Sequence, residues 1–588
     1  MLLQRLSEYA SRLDLPPTLY SEAPVRYIIE LSSDGSLGNP QPTDTADSSN
    51  ARTRRGKRIL VPQIQRAVGI KPLLLADNAE YTLGLVREDS KPARVAACHV
   101  AYMELLDRCF DVTQDSVVNA VRAFLYSEAV SQLNLGDDYD RGAIITFRVN
   151  GTFPVDLPSV QNFWATENDP GASKDQPAAI MQCIVCGQER PVLTRLQGKI
   201  KGVPGGQTAG TALISANAAA FESYGLDASL IAPTCATCGE RFTKAANDLL
   251  ASQSNRIIIG GAAFIFWTRE KVDFDFLSFF NDPEPTQVRD LLSSVRTGQH
   301  LPDIDDMAFY ATALSGSGGR VVVRDWIDTT VGQVRENLAK WFARQQVVDA
   351  FGEAPRPLKL YSLAAGTVRE AKDLPATTPR ALLHSALTGA PLPYGLLYQA
   401  VRRNRAEQSM TRQRAALIKL VLLSQQPDTV EDRMIQLDPE NMNPAYRCGR
   451  LLAVLEETQR QAIGKATIVE RFFGTASSAP ASVFGRLLRG AQPHLSKLER
   501  DRPGAYRALQ SRLEEVQGGL SGFPRTLMLE DQAIFALGYY HQRAYDRGQA
   551  RENAERRKAE VAQQASSNAI DDSAEQGNLA DETDETID

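Results

Sequence analysis

Apolar and polar residues repeat along this chain with a period that changes from about two to about three and a half. Short β-branched runs at Val25–Leu31, Ile59–Val61 and 143–149 (AIITFRV) predict strands. A helix is expected before the break at Pro16 and Pro17, and helical spacing covers 93–110 and 115–133. On the first of those two helices Cys98, Tyr102, Leu105, Leu106 and Cys109 share one face and are expected in a core. The segment 69–86 (GIKPLLLADNAEYTLGLV) has apolar runs on either side of Asp77 and Asn78, which predicts a hairpin or strand–turn–strand. Residues 34–50 form a polar, turn-rich loop and 166–178 a Pro/Gly linker. Further on, 256–268 predicts one buried strand, 308–324 two strands around a Gly/Ser turn, and Val331–Phe351 a helix. Helical spacing then dominates at 396–424, 444–463, 480–500, 504–518 and 528–560, with Cys448, Leu451, Leu452 and Leu455 on one face. The expected fold class is α+β: a mixed N-terminal part with a four-cysteine, zinc-ribbon-like module, followed by a C-terminal helical bundle. Five regions are expected, at 1–165, 166–255, 256–375, 376–548 and 549–588.

Length and composition narrow the class. The chain has 588 residues, too many for one ordinary domain, and 43% hydrophobic against 23% charged residues fits a globular protein. No apolar run reaches the roughly 18–20 residues of a membrane span, and Arg5, Glu8 and Arg12 interrupt the N-terminus where a signal peptide would be apolar. A cytoplasmic protein without a membrane partner is expected. The net charge of −6 misleads about nucleic acid, because the last 18 residues hold eight acids and no base. Without them 65 bases face 63 acids, and the bases cluster. Segment 52–58 (RTRRGKR) carries five positive charges, Arg380–Lys419 seven bases against one acid, and Gly485–Arg512 seven against two. Such clusters can follow a phosphate backbone, or simply form a solvated surface. The acidic tail is expected to lack structure.

Four of the seven cysteines are patterned. Cys183 and Cys186 form one C-x-x-C, Cys235 and Cys238 another, and Gly187 and Gly239 follow them. Two thiolates three residues apart reach one metal from a tight turn, and four close its tetrahedral shell, so the expected cofactor is structural zinc. Buried metal-free thiols or two redox pairs are the alternatives. The 48 residues between the pairs exceed the usual ribbon spacing and include a Gly-rich stretch, Gly198–Gly210. That stretch lacks P-loop spacing, yet reads as a flexible loop with Lys199 and Lys201 able to approach phosphates.

Catalytic signals are weak. The five histidines fall in no hydrolase, metalloprotease or deaminase motif. Asp303, Asp305 and Asp306 could bind a divalent cation but read better as a solvated turn. No enzyme activity is expected; the alternative kept is a zinc-ribbon enzyme of nucleic-acid metabolism with an unrecognised site.

Several segments, in order and spacing, resemble the large subunit of the type I-C CRISPR Cascade surveillance complex. They are 73–84 (LLLADNAEYTLG), the cysteine pairs, 213–225 (LISANAAAFESYG), 309–326 (FYATALSGSGGRVVVRDW), 445–462 (AYRCGRLLAVLEETQRQA) and 523–543 (FPRTLMLEDQAIFALGYYHQR). The resemblance implies recognition of the protospacer-adjacent motif on double-stranded DNA, help in unwinding, R-loop stabilisation and recruitment of a separate helicase-nuclease. Its partners would be guide RNA, target duplex and displaced strand, and the other backbone and small subunits. A C-terminal fragment made from an internal start near Met434 or Met442 would serve as small subunit.

Within that reading, Arg52, Arg54, Arg55, Lys57 and Arg58 would hold the duplex backbone, and Lys71, Asn78 and Tyr81 would reach base edges or wedge a step. Asn78 as a cap and Tyr81 as core are the plainer readings. Lys199 and Lys201 form an alternative finger. Arg402, Arg403, Arg405, Arg412 and Arg414, and likewise Arg486, Arg489, Lys497, Arg500 and Arg507, would follow the displaced strand or the guide–target duplex.

Overall fold

The architecture is taken from a computed structural model, which describes all residues except 14–15, 48–54, 65, 67–68, 87–89, 136–138, 141, 169–178, 197, 217, 272–275, 277, 297–301, 427–433 and 582–588; the side chains of residues 296, 302–303 and 564–581 are also outside it. The chain forms two units: Met1–Ser252 with Leu314–Val323, and Gln253–Ala313 with Arg324–Asp588.

The first unit opens with helix α1 (Leu2–Tyr9) and is built around strand β1 (Tyr20–Leu31), which buries Val25, Tyr27, Ile29 and Leu31. Strands β2 (Thr43–Asp44) and β3 (Lys57–Pro62) pair antiparallel with one edge of β1. On its other edge lie β5 (Ile144–Val149), parallel to β1, and beyond that β4 (Ala76–Asn78), antiparallel to β5. Helices α3 (Pro92–Thr113), α4 (Ser116–Tyr126) and α5 (Pro158–Glu167) complete this core, with Cys98, Tyr102, Leu105, Leu106 and Cys109 buried in it. The expected hairpin at Asp77–Asn78 does not form. Helix α2 (Ala79–Thr82) follows β4 directly, because Asn78 Oδ1 accepts from the N–H groups of Glu80 and Tyr81 and caps that turn. The cysteine-bearing part has hairpin β6 (Ile180–Gln182) and β7 (Glu189–Pro191), then helix α6 (Ala236–Ala251).

A second sheet is ordered β11–β10–β9–β8, with β8 Arg256–Ile259, β9 Ala262–Thr268, β10 Ala308–Ser317 and β11 Arg320–Thr330; it belongs to the second unit except for the tip of the β10–β11 pair, Leu314–Val323, which belongs to the first. The single strand expected at 256–268 is two, since Gly260 and Gly261 both take positive φ and make a two-residue hairpin turn. Short helices α7 (Ser278–Asn281), α8 (Pro285–Arg296) and α9 (Pro302–Asp305) precede α10 (Val331–Arg344). Helix α10 stops seven residues before the expected Phe351. The carbonyls of Gln346 and Val347 instead accept from Lys419 Nζ at 2.9 Å and Arg412 Nε at 3.3 Å, so tertiary bonds replace helical ones.

Helices α11 (Leu360–Ala365), α12 (Thr377–Thr388), α13 (Tyr394–Glu407) and α14 (Arg412–Ser424) follow. The expected continuous helix over 396–424 breaks where Gln408 turns left-handed and Thr411 caps α14. Then come α15 (Pro444–Ile463), α16 (Ile468–Ala476), α17 (Phe484–Asp501), α18 (Pro503–Gly518) and α19 (Leu529–Asp581). Glycines bring α15 and α19 together: a Cβ on Gly449 would lie 1.9 Å from the Phe535 carbonyl oxygen, and one on Gly538 2.1 Å from that of Tyr446. The acidic tail, expected without structure, continues α19 as far as Asp581; its earlier exposed turns carry the i,i+4 pairs Arg551–Glu555 and Arg556–Glu560.

Candidate nucleic-acid interface and thiolate centre

The four patterned cysteines converge. Their Sγ atoms all lie within 4.8 Å of one another. Tight turning explains the first pair: Gly187, at φ +73, donates its N–H to the Cys183 carbonyl at 2.8 Å and closes the knuckle at the end of the β6–β7 hairpin. The second pair departs from a ribbon, because Cys235 stands immediately before α6 and Cys238 lies in its first turn. Gly239 therefore lies inside the helix and not in a turn, and a Cβ there would press on Leu196 Cδ2 at 2.5 Å. Burial pushes the Cys183 thiol up, but the backbone N–H groups of Cys186, Cys235 and Val185 outweigh it and bring it down to about 7. Burial raises Cys235 and Cys238. Four soft donors within reach of one tetrahedral centre fit a zinc-sized ion.

The residues expected to read a DNA motif separate into two groups. Arg52 and Arg54 lie outside the described residues. Arg55, Lys57 and Arg58 are exposed, and Arg58 pairs with Glu22 at 3.1 Å. Lys57 and Asn78 stand on one row of the sheet through Val25 and Ile144, three strand spacings or roughly 14 Å apart. Lys71 is exposed beside that far edge.

Asn78 and Tyr81 do not present themselves as expected. Asn78 spends its carbonyl oxygen on the α2 cap, and Tyr81 is only 6% exposed. The Arg66 guanidinium covers the Tyr81 ring at 4.5 Å and donates from Nη1 to Asp77 Oδ1 at 3.0 Å. Asp77, also buried, accepts the N–H groups of Leu73 and Asn78 at 2.8 Å each. Burial holds its carboxyl above the ordinary range against the pull of Arg66. Leu75, fully buried, takes φ +60, a strained conformation, and lies between Leu73 and Asn78, whose N–H groups Asp77 accepts; its carbonyl accepts from Thr146 Oγ1 at 2.9 Å. Sequence reasoning missed Arg66 and Asp77. An acid next to three leucines was the available signal, since it must find a cation once buried.

Lys199 and Lys201 are exposed, but the Gly-rich stretch is not the flexible loop expected. It pairs Ile200 with Thr211, and the Pro204 carbonyl accepts from Gly316 N–H at 2.7 Å. Asp305 is neither part of the solvated turn expected nor a metal ligand in waiting, because its carboxylate is buried against Arg335.

The two helical basic stretches differ. Arg414 is buried and donates to Asn404 Oδ1 and the Ser409 carbonyl at 3.0 Å each, and to Glu407. Arg403 also pairs with Glu407, and Arg412 holds the carbonyls of Val347 and Arg356. Arg412 and Arg414 thus leave the surface set, while Arg402 and Arg405 remain exposed. On α17, Arg486, Arg489, Lys497 and Arg500 are all exposed. Their spacing puts them on one face, opposite the buried Leu487, Ala491, Leu495 and Leu498. Arg507 on α18 is exposed too.

A two-unit α+β protein with a thiolate centre and a solvent-facing cationic helix is equipped to bind and assemble. The family model described as CRISPR-associated protein (Cas_Csd1) matches residues 3–545, and the chain belongs to that family, the large subunits of type I-C Cascade. No curated protein matches it. Membership makes guide RNA and other Cas subunits its partners. No helix among the described residues is long and apolar enough to cross a membrane.

Proposed function

We propose that this large subunit reads the protospacer-adjacent motif on target duplex, helps open it, steadies the displaced strand and recruits a separate helicase-nuclease. The observation that carries this reading is the α17 stripe: four bases on one exposed face without an acid among them, suited to a phosphate backbone. Motif reading is assigned to the exposed cations at either edge of the first sheet, Lys57 and Lys71, with Asn78 and Tyr81 supporting the Lys71 edge rather than touching bases. The test is binding of the reconstituted complex to duplexes with a randomised adjacent motif. Lys71→Ala is expected to flatten the motif preference and Tyr81→Phe to leave it intact; an unchanged preference in Lys71→Ala removes that residue from the reading site.

The four thiolates are assigned a structural zinc ion, which joins the β6–β7 knuckle to α6 and leaves no coordination position for substrate. One zinc per chain by elemental analysis, lost in Cys183→Ser with Cys235→Ser, is the expected result. A chain that purifies folded with no metal rejects it. The helices from α15 onward are assigned to the separately made small subunit. An apolar core running from Ala445 to Tyr539 supports that, while Tyr446, Ala536, Leu537 and Tyr540 pack into the core of the preceding helices.

A further inference from the structure

Two stretches with no role in the reading above, 213–225 and 314–323, meet in the first unit. Phe221 ends a short 3₁₀ turn and is 46% exposed. The guanidinium of Arg320, at the start of β11, lies 3.7 Å from the centroid of its ring. Three residues on, Tyr224 is 99% exposed and held at φ +55, in a turn closed by Leu226 N–H on the Ser223 carbonyl at 2.9 Å. A tyrosine in the left-handed region is strained, and full exposure returns no burial for that cost.

The support beneath these side chains is rigid. Ala212 donates its N–H to the Gly319 carbonyl and accepts from Val321 N–H, both at 2.9 Å. Gly316 lies so close that a Cβ on it would sit 2.1 Å from Gly206 N. Arg320 is therefore fixed on the same small ladder that pairs Thr211 with Ile200. Lys199 and Lys201 flank Ile200, two strand spacings or about 10 Å from Arg320. Glu222 and Asp227 flank the Tyr224 turn, and the ladder segments 199–201, 211–212 and 319–321 carry no acid.

We infer that Phe221, Tyr224 and Arg320 form a stacking platform for an unpaired nucleobase of a DNA strand whose phosphates cross Lys199 and Lys201. A planar guanidinium on one ring face leaves about half of the Phe221 side chain open, and every base has a face that can stack there. The rings stand beside Glu222, Ser223 and Gly225, not in an aliphatic patch of the kind that buries a protein partner. This inference rests on the proposed DNA-binding role only in taking nucleic acid as the ligand.

The test uses the full chain and a fluorescein-labelled oligothymidine, read by anisotropy at two salt concentrations, with a 2-aminopurine oligonucleotide to report stacking. Phe221→Ala and Tyr224→Ala should each weaken binding roughly 10-fold, with the melting curve and the salt dependence unchanged. Phe221→Trp should restore binding and the 2-aminopurine quench. Lys199→Gln with Lys201→Gln should instead reduce the salt dependence. Alanine variants that bind like wild type overturn the platform, as does loss that tryptophan fails to rescue. Alanine variants that keep oligonucleotide affinity but no longer join the complex also overturn it and assign the rings to a protein partner. The motif-library assay does not use these residues, so failure here leaves the motif-reading role standing, and failure there leaves this one.

Discussion

The basic stretches 402–414 and 486–500 look alike in sequence, yet one is largely spent on folding and the other faces solvent, with Arg486 also lying 4.6 Å over the Phe472 ring. In the first, Arg414 is 5% exposed and bound to Asn404, Ser409 and Glu407. Burial lowers its guanidinium pKa to about 10, and the neighbouring Arg403 adds to the effect. In the second, the cations of α17 project away from a stripe of leucines. Burying a charge is tolerated when carbonyls and a carboxylate meet it, and it then contributes nothing to the outer field. A run of arginines therefore counts as an interaction surface only after its internal partners are subtracted.

The contrast can be broken at three points. Arg414→Ala is expected to have the largest effect, about 3 kcal/mol of lost stability, because it leaves the buried Asn404 without its donor, while Glu407 keeps Arg403. A denaturant melt of the full chain measures this, and a loss below about 1 kcal/mol would mean that the arginine faces water after all. Reversing Arg486, Arg489, Lys497 and Arg500 to glutamate comes next. It should reduce the slope of log affinity against log salt for target DNA by roughly three, with the melting curve in place. An unchanged slope would make the stripe an ordinary solvated face.

The third effect is smaller and depends on pH. His541, on α19, is fully buried and held by Tyr446 OH at 3.0 Å; burial first, and the charge of Lys419 second, push its pKa down to about 3. The folded state thus binds this proton more weakly than the unfolded chain, whose histidine titrates near 6.5. The associated stability is present above pH 6.5 and lost as pH falls towards 3. At pH 5 the loss should reach about 2 kcal/mol, and His541→Gln should make the melting temperature less sensitive between pH 7 and pH 5. Equal sensitivity in the variant would place the acid response elsewhere.

Local chemistry made much of this molecule legible from sequence. The C-x-x-C pairs meet because each is a short-range device, and the faces of α3 and α15 follow from spacing alone. The family segments were legible as segments, in agreement with the match over 3–545. The misread elements turn on side chains acting across distance. Asn78 looked like a hairpin turn and is a helix cap, α10 ends early because Lys419 and Arg412 take its next carbonyls, and the Gly-rich stretch is held by the 316–321 turn.

Periodicity and spacing act within a few residues, so the helical half, the thiolate pairs and the positions of the charges can be read directly along the chain. Which cations remain outside, that Arg66 meets both Asp77 and Tyr81, and that Phe221 meets Arg320 follow from folding alone. Those pairings depend on desolvation and on partners up to a hundred residues away, and no local pattern encodes either.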